Sequence, residues 1–208
     1  MPRLYKPKPL GLDSCRARSL PELQEAAALL ADTAVHGCEL SFELQSLAVN
    51  PTHPSRTKGE AWMRHAFVLL QGMLVAERWL IEFLTGPATF IDHQTQKRSK
   101  RASDICVDCF MHDWRFPGGQ LANELVDRLR PINTLAAHPT WEQVTASPRR
   151  WTLTRVASCV DGLVIFTEAV RTTQPTVAAM LDNRIDFARQ SLQNGRSDGR
   201  RWFDLAAP

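Results

Sequence analysis

The zinc-protease and nucleotide-binding signatures are missing from this chain. It holds no glycine-rich phosphate loop and no H-E-x-x-H, so the backbone phosphate cradle and the helix-borne zinc protease are set aside. A dominant charge is missing too. With 25 basic residues against 22 acidic and a net charge of +3, the overall balance argues neither for nor against a polyanionic partner. Five cysteines, at 15, 38, 106, 109 and 159, are odd in number and mostly scattered. They do not form a disulfide framework, and a reducing cytoplasm is the compartment expected. The opening "MPRLYKPKPL" has prolines and charges where the apolar part of a signal peptide would stand. The most apolar stretch, "AFVLLQGMLVAERWLIEFL", carries Glu77, Arg78 and Glu82 at spacings read as facing one side. It is expected to be a long amphipathic helix, not a membrane span. No segment alternates with period two, and no internal repeat is found.

What is present is helical periodicity. The chain has 208 residues, 44% of them hydrophobic, which suits one sizeable core and is short for two. Ser19 with Glu22 makes a capping box, and Leu23, Ala27, Leu30, Ala34, Cys38 and Phe42 follow at steps of three or four, giving a helix over about 20–48. After the proline-broken "NPTHPSRT", Thr57 and Glu60 make a second box ahead of Met63, Phe67, Leu70, Leu74, Ile81 and Leu84. Gly86 and Pro87 end that helix. Residues 88–101 fit a short helical extension, and "SDICVDCFMHDWRFPGG" reads as a packed irregular connection. A third long helix, with Leu121, Leu125, Leu129, Ile132 and Leu135 as its apolar face, is expected over 121–137 with a kink at Pro131. Ser147 and Pro148 predict the start of a fourth through Val156, Leu163, Phe166 and Val170. Val177, Met180, Leu181, Ile185, Ala188 and Leu192 predict a last helix over about 175–193, ending at Asn194 and Gly195. These stripes must be buried against one another, so the expected fold is all-α, an antiparallel bundle of about five to six helices. One domain over 19–194 would lie between a basic, flexible N-terminal segment (1–18) and a C-terminal tail (195–208). Trp62, Trp79, Trp114, Trp141 and Trp151 are expected in the core or at its boundary.

Four features bear on chemistry. Lys97, Arg98, Lys100 and Arg101 crowd one segment, and both ends of the chain are basic, with Arg3, Lys6, Lys8, Arg16 and Arg18 near the start and Arg196, Arg200 and Arg201 near the finish. A basic patch for RNA and a merely solvated loop with two tails both fit. Cys106, Cys109 and His112, in "CVDCFMH", fall at metal-like intervals. Zinc would need a fourth ligand such as His93 or Asp113, no second pair exists, and two small cysteines within a packed segment explain the run equally. A thioredoxin-like redox motif would require a βαβ context that is not there. Glu39 with Glu43 reads as a solvated face.

The fourth is "RPINTLAAHPTW", residues 130–141, where an apolar helical run carries Asn133 and His138 and breaks at Pro139. An imidazole at that helix end has the pKa to take a proton from a ribose 2′-hydroxyl or to give one to a leaving oxygen. Arg128 and Arg130, about two to three turns upstream, have the planar fork that holds a phosphate. That set suffices for metal-free RNA cleavage. A structural histidine beside surface arginines is the other reading of the same residues.

Two long helices, a "DICVDCFMHDW" segment, a helix ending in "INTLAAHPTW" and a further helix opening near Trp151 together resemble bacterial proteins of the HEPN superfamily, over roughly residues 20–172. In that family an I-N-x-x-x-A-H-L-T-like ending is a familiar form of the motif region. The resemblance implies a helical bundle that dimerises, and a cytoplasmic, metal-independent endoribonuclease of a toxin or antiviral defence system, needing no cofactor. RNA, a second copy of the chain and a neutralising protein or defence-complex subunit are the implied partners. His138 matches the family histidine. Asn133 stands where the family has arginine, and Arg130, separated from His138 by seven residues, is the nearest upstream arginine. Asparagine supplies a hydrogen bond but no charge, so the resemblance implies a weakened nuclease, one in which Arg130 substitutes, or a non-catalytic relative that binds RNA or a protein. Arg128, Lys97, Arg98, Lys100 and Arg101 are the implied RNA contacts. A non-enzymatic helical interaction or regulatory protein of the same fold is the alternative.

Overall fold

The computed structural model describes residues 18–49, 52, 61–85, 105–111, 114–132, 150–152, 155–196 and 202–204. Six helices account for most of them: α1 (Leu20–Val49), α2 (Ala61–Thr85), the single-turn α3 (Val107–Phe110), α4 (Gln120–Ile132), α5 (Arg155–Arg171) and α6 (Pro175–Arg196). The fold is an all-α bundle. α1 lies along both α2 and α6, α5 lies along α6, and α2 meets α5, so the four long helices close a ring around the core. α4 leans on α2 and α5.

The first helix starts where the capping box placed it. The backbone N–H of Ser19 donates to Glu22 Oε2 at 2.8 Å, while the Ser19 hydroxyl donates to the same oxygen at 2.9 Å. These bonds, the backbone one first, hold the Glu22 carboxyl below its ordinary range, with help from Arg18. Along α1 the buried residues Leu23, Ala27, Leu30, Ala34 and Cys38 follow the expected stripe, but Phe42 is half-exposed and Ser41 is buried in its place. A step of four residues turns about 40° beyond a full turn, so the two steps from Ala34 to Phe42 carry the side chain about 80° off the core direction. Ser41 satisfies its hydroxyl on the Gly37 carbonyl at 2.8 Å. Phe67 of α2 is half-exposed while its neighbour Ala66 is buried.

Small residues set how closely the helices approach. A Cβ at Gly37 would stand 3.3 Å from Ala76 Cβ and 3.4 Å from Val156 Cγ1, and one at Gly162 would stand 2.5 Å from Leu84 Cδ1. Both glycines therefore mark helix crossings, and their cost in helix propensity is offset by contact.

The segment before α4 is packed as expected. Phe110, Trp114 and Phe116 lie edge-on in a cluster with Phe83 and Phe166, with Phe83 and Phe166 centroids 4.9 Å apart and Trp114 and Phe166 5.6 Å apart. Edge-to-face contacts of this kind add to the area each ring buries. The amide of Gln174, in the turn between α5 and α6, donates to the Phe110 carbonyl and ties this segment to the far end of α5.

Three expectations are corrected. α5 begins at Arg155 and not at Pro148, because Arg150–Thr152 forms a short antiparallel pair, β1, with Trp202–Asp204, β2. Trp151 faces Phe203 in that register; three-residue strands are too short to show a period in the sequence. α6 runs through Gly195 to Arg196. Trp79 is 53% exposed, neither core nor boundary. Thr57, Glu60, residues 88–101, Leu135, Trp141 and the end of the expected helix beyond Ile132 lie outside the described residues, as do the side chains of Trp62 and Trp151.

Candidate functional site

α4 is the element that carries the sequence motif toward Asn133 and His138. Its inner face is made by Leu125, Leu129 and Ile132, all buried, at the i, i+4, i+7 spacing of an amphipathic helix. Arg128 sits beside this face. Its side chain is 20% exposed and approaches Glu77 of α2 at 4.0 Å and Glu124 at 3.6 Å. Arg130 is two positions along, about 200° around the helix, with its side chain outside the described residues. Asn133, His138, Lys97, Arg98, Lys100, Arg101, His93, His112 and Asp113 lie outside them as well. Of the expected phosphate contacts, Arg128 is thus the one whose surroundings are described, and its guanidinium already faces two carboxylates.

Glu77 corrects the expected charge face of α2. It is 0% exposed, while Arg78 and Glu82 pair with each other at the half-buried flank. The reason is angular: Glu77 is one turn from Met73, Leu74, Leu80 and Ile81, all buried, so it points into the bundle, where Arg128 of α4 approaches it. The sequence shows the three charges but not which one the core encloses. A buried carboxylate with a cation alongside is a costly feature to maintain, and this pair fixes α4 against α2.

The outer side of α2 is apolar as well. Val68 (68% exposed), Val75 and Trp79 (53% exposed) stand at i, i+7 and i+11, within about 40° of one line and opposite the core-facing residues. Their spacing was visible in the sequence, but hydrophobicity alone could not say that both faces of one helix were apolar and only one would be covered.

A groove of about 490 Å³ opens between the first half of α1 and the segment around α3, lined by Glu22, Glu25, Leu29, Asp32, Ile105 and Cys109 among others. Arg18 is on the lining too and pairs with Glu22 at 3.0 Å, and Arg184 binds the Asp32 carboxylate at 3.2 Å and the Ala28 carbonyl at 3.2 Å. Three carboxylates on the lining disfavour a phosphate chain by like-charge repulsion, so this groove is not the surface expected to meet RNA. Cys109 and Cys106 lie with their sulfurs 3.4 Å apart. Among the described residues no three histidine, cysteine or carboxylate side chains converge as a metal site would require, and no helix is long and apolar enough to cross a membrane.

No family model, curated protein or solved structure matches this chain.

Proposed function

We propose that the chain is a HEPN-like helical protein of a bacterial toxin or antiviral defence system that acts on RNA as a cytoplasmic homodimer, binding it and cleaving it without a metal. The observation that carries this is the run "INTLAAHPTW", which continues directly from α4 in a chain that folds as an all-α bundle. The chemistry assigned to it needs one titrating imidazole and one charged phosphate holder. His138 moves the proton of the ribose 2′-hydroxyl or of the leaving oxygen. Asn133 donates a hydrogen bond to the phosphate, and Arg130 supplies the charge that Asn133 lacks. Lys97, Arg98, Lys100 and Arg101 extend the contact along the phosphate backbone, which makes binding weaken with added salt.

The test is cleavage of several RNAs in EDTA by wild type, His138→Ala and Arg130→Ala, with end-group analysis. Products ending in cyclic phosphate, lost in His138→Ala by a factor of about 100 or more, are the expected result. Cleavage that persists in His138→Ala, or requires added divalent metal, refutes the assignment.

One observation favours a second reading, a non-catalytic interaction protein of the same fold. The exposed stripe of Val68, Val75 and Trp79 is the kind of apolar surface that partners cover. On this reading RNA is not cleaved, and the stripe forms the contact between two copies. Light scattering on Val68→Glu/Trp79→Glu would then show a monomer where wild type is a dimer, with helical content unchanged. A variant that remains dimeric removes this face from the interface.

A further inference from the structure

We propose that Cys106 and Cys109 are a reversible dithiol–disulfide pair, with Cys109 as the thiol that meets the oxidant and Cys106 as the thiol that resolves it. The pair is independent of the RNA reading. Three observations place it. The sulfurs are already 3.4 Å apart, so forming a bond of about 2.05 Å requires a small rotation and no rearrangement of the chain. The backbone N–H of Cys109 donates to the Cys106 carbonyl at 2.9 Å, closing a single turn. Three residues of helical rise bring Cα atoms to about 5 Å, inside the range a disulfide spans. The two thiols also differ in access. Cys106 is buried, whereas Cys109 is partly exposed and lines the groove beside α1. That groove is open to solvent, so a low-molecular-weight disulfide reaches Cys109 from its open side without having to fill the acidic lining.

The remaining described cysteines sharpen the contrast. Cys38 and Cys159 are each buried, on α1 and α5, and burial pushes the Cys38 thiol up to about 12, leaving almost no thiolate to react.

The oxidant class is a small disulfide such as oxidised glutathione. Cys109 thiolate attacks one of its sulfurs, forming a protein–glutathione mixed disulfide and releasing one glutathione thiolate, which takes up the proton Cys109 lost. Cys106 thiolate then attacks Cys109 Sγ, forming the Cys106–Cys109 bond and releasing the second glutathione as thiol. Two protein thiols are oxidised and one small disulfide is reduced to two thiols. Reduced glutathione in excess reverses both steps. The turn that closes is next to Phe110, whose ring meets Phe83 and Phe166 and whose carbonyl accepts from Gln174, so the redox state is imposed where the α3 segment grips the core.

The experiment uses the full chain with Cys15→Ser, equilibrated in EDTA with oxidised and reduced glutathione at set ratios, acid-quenched, alkylated and mapped by mass. Under oxidising ratios the peptide holding Cys106 and Cys109 should lose two hydrogens and retain no glutathione, and reducing ratios should restore it. In a Cys106→Ser variant the same peptide should retain one glutathione on Cys109; in Cys109→Ser it should remain unmodified. A peptide that stays fully reduced at every ratio, or that keeps glutathione with both cysteines present, overturns the disulfide. Glutathione on Cys106 in a Cys109→Ser chain of native helical content overturns the order of attack. The chain with both cysteines decides the first point whether or not the serine variants fold.

Discussion

Replacing Phe166 with alanine will destabilise the protein by about 3–5 kcal/mol, the usual cost of emptying a large aromatic site in a close-packed interior. Phe166 is fully buried on α5 and is met edge-on by Phe83 of α2, Phe110 of α3 and Trp114. Three elements share the void that its loss leaves, and collapse onto it would have to move all three. Against a total stability of about 5–15 kcal/mol for a single domain, that loss approaches the threshold of unfolding. Urea titration of Phe166→Ala beside Phe187→Ala measures it. Phe187 is about half-exposed on α6, and its truncation should stay within about 0.5 kcal/mol of wild type. Equal midpoints for the two variants would mean that the aromatic cluster does not anchor α3 to the bundle.

Removing Arg128 should cost about 3 kcal/mol, at the lower end of what breaking a buried ion pair costs. The lower end is appropriate because Arg128 is 20% exposed and its nearest approach to Glu77 is 4.0 Å, so part of its attraction is screened. Glu77, at 0% exposure, would lose the Arg128 cation while its burial is unchanged. The double variant Glu77→Leu/Arg128→Leu removes both charges and should recover most or all of the loss, since an apolar pair of similar volume is often neutral or better in such a site. Denaturant midpoints of the single and double variants separate the outcomes. A double variant no more stable than Arg128→Ala would show that the pair does not account for the charge at 128. The same double variant, if folded, also reports on RNA: unchanged affinity and unchanged salt dependence would remove Arg128 from the phosphate contacts.

The legible parts of the sequence were those where a local rule acts alone. Ser19 and Glu22 fixed the start of α1 because a cap is a matter of four residues, and the spacing from Leu121 to Ile132 identified α4 because one face of a short helix has a single period. Phe42 and Phe67 were misplaced for the opposite reason. Over a long helix the buried face turns with the neighbour it meets, and a run of four-residue steps leaves that face without any signal in the residue types. The candidate site was legible as residues but not as an arrangement. Asn133 and His138 follow α4 in the chain, yet the neighbours that would make them a site, or leave them idle, are supplied by other segments.

Sequence by itself therefore determined the helical class, one core rather than two, the start of α1, the identity of the buried stripes and the residues that could do chemistry. These follow from periodicity, capping and side-chain type, each of which acts over a few neighbouring positions. Tertiary structure decided which of three charges on α2 is enclosed, that Arg128 faces Glu77, that Val68, Val75 and Trp79 are left uncovered, and that Arg150–Thr152 pairs with Trp202–Asp204. Each of those depends on the approach of segments distant in the chain, and the free energy of burial falls on whichever surfaces meet.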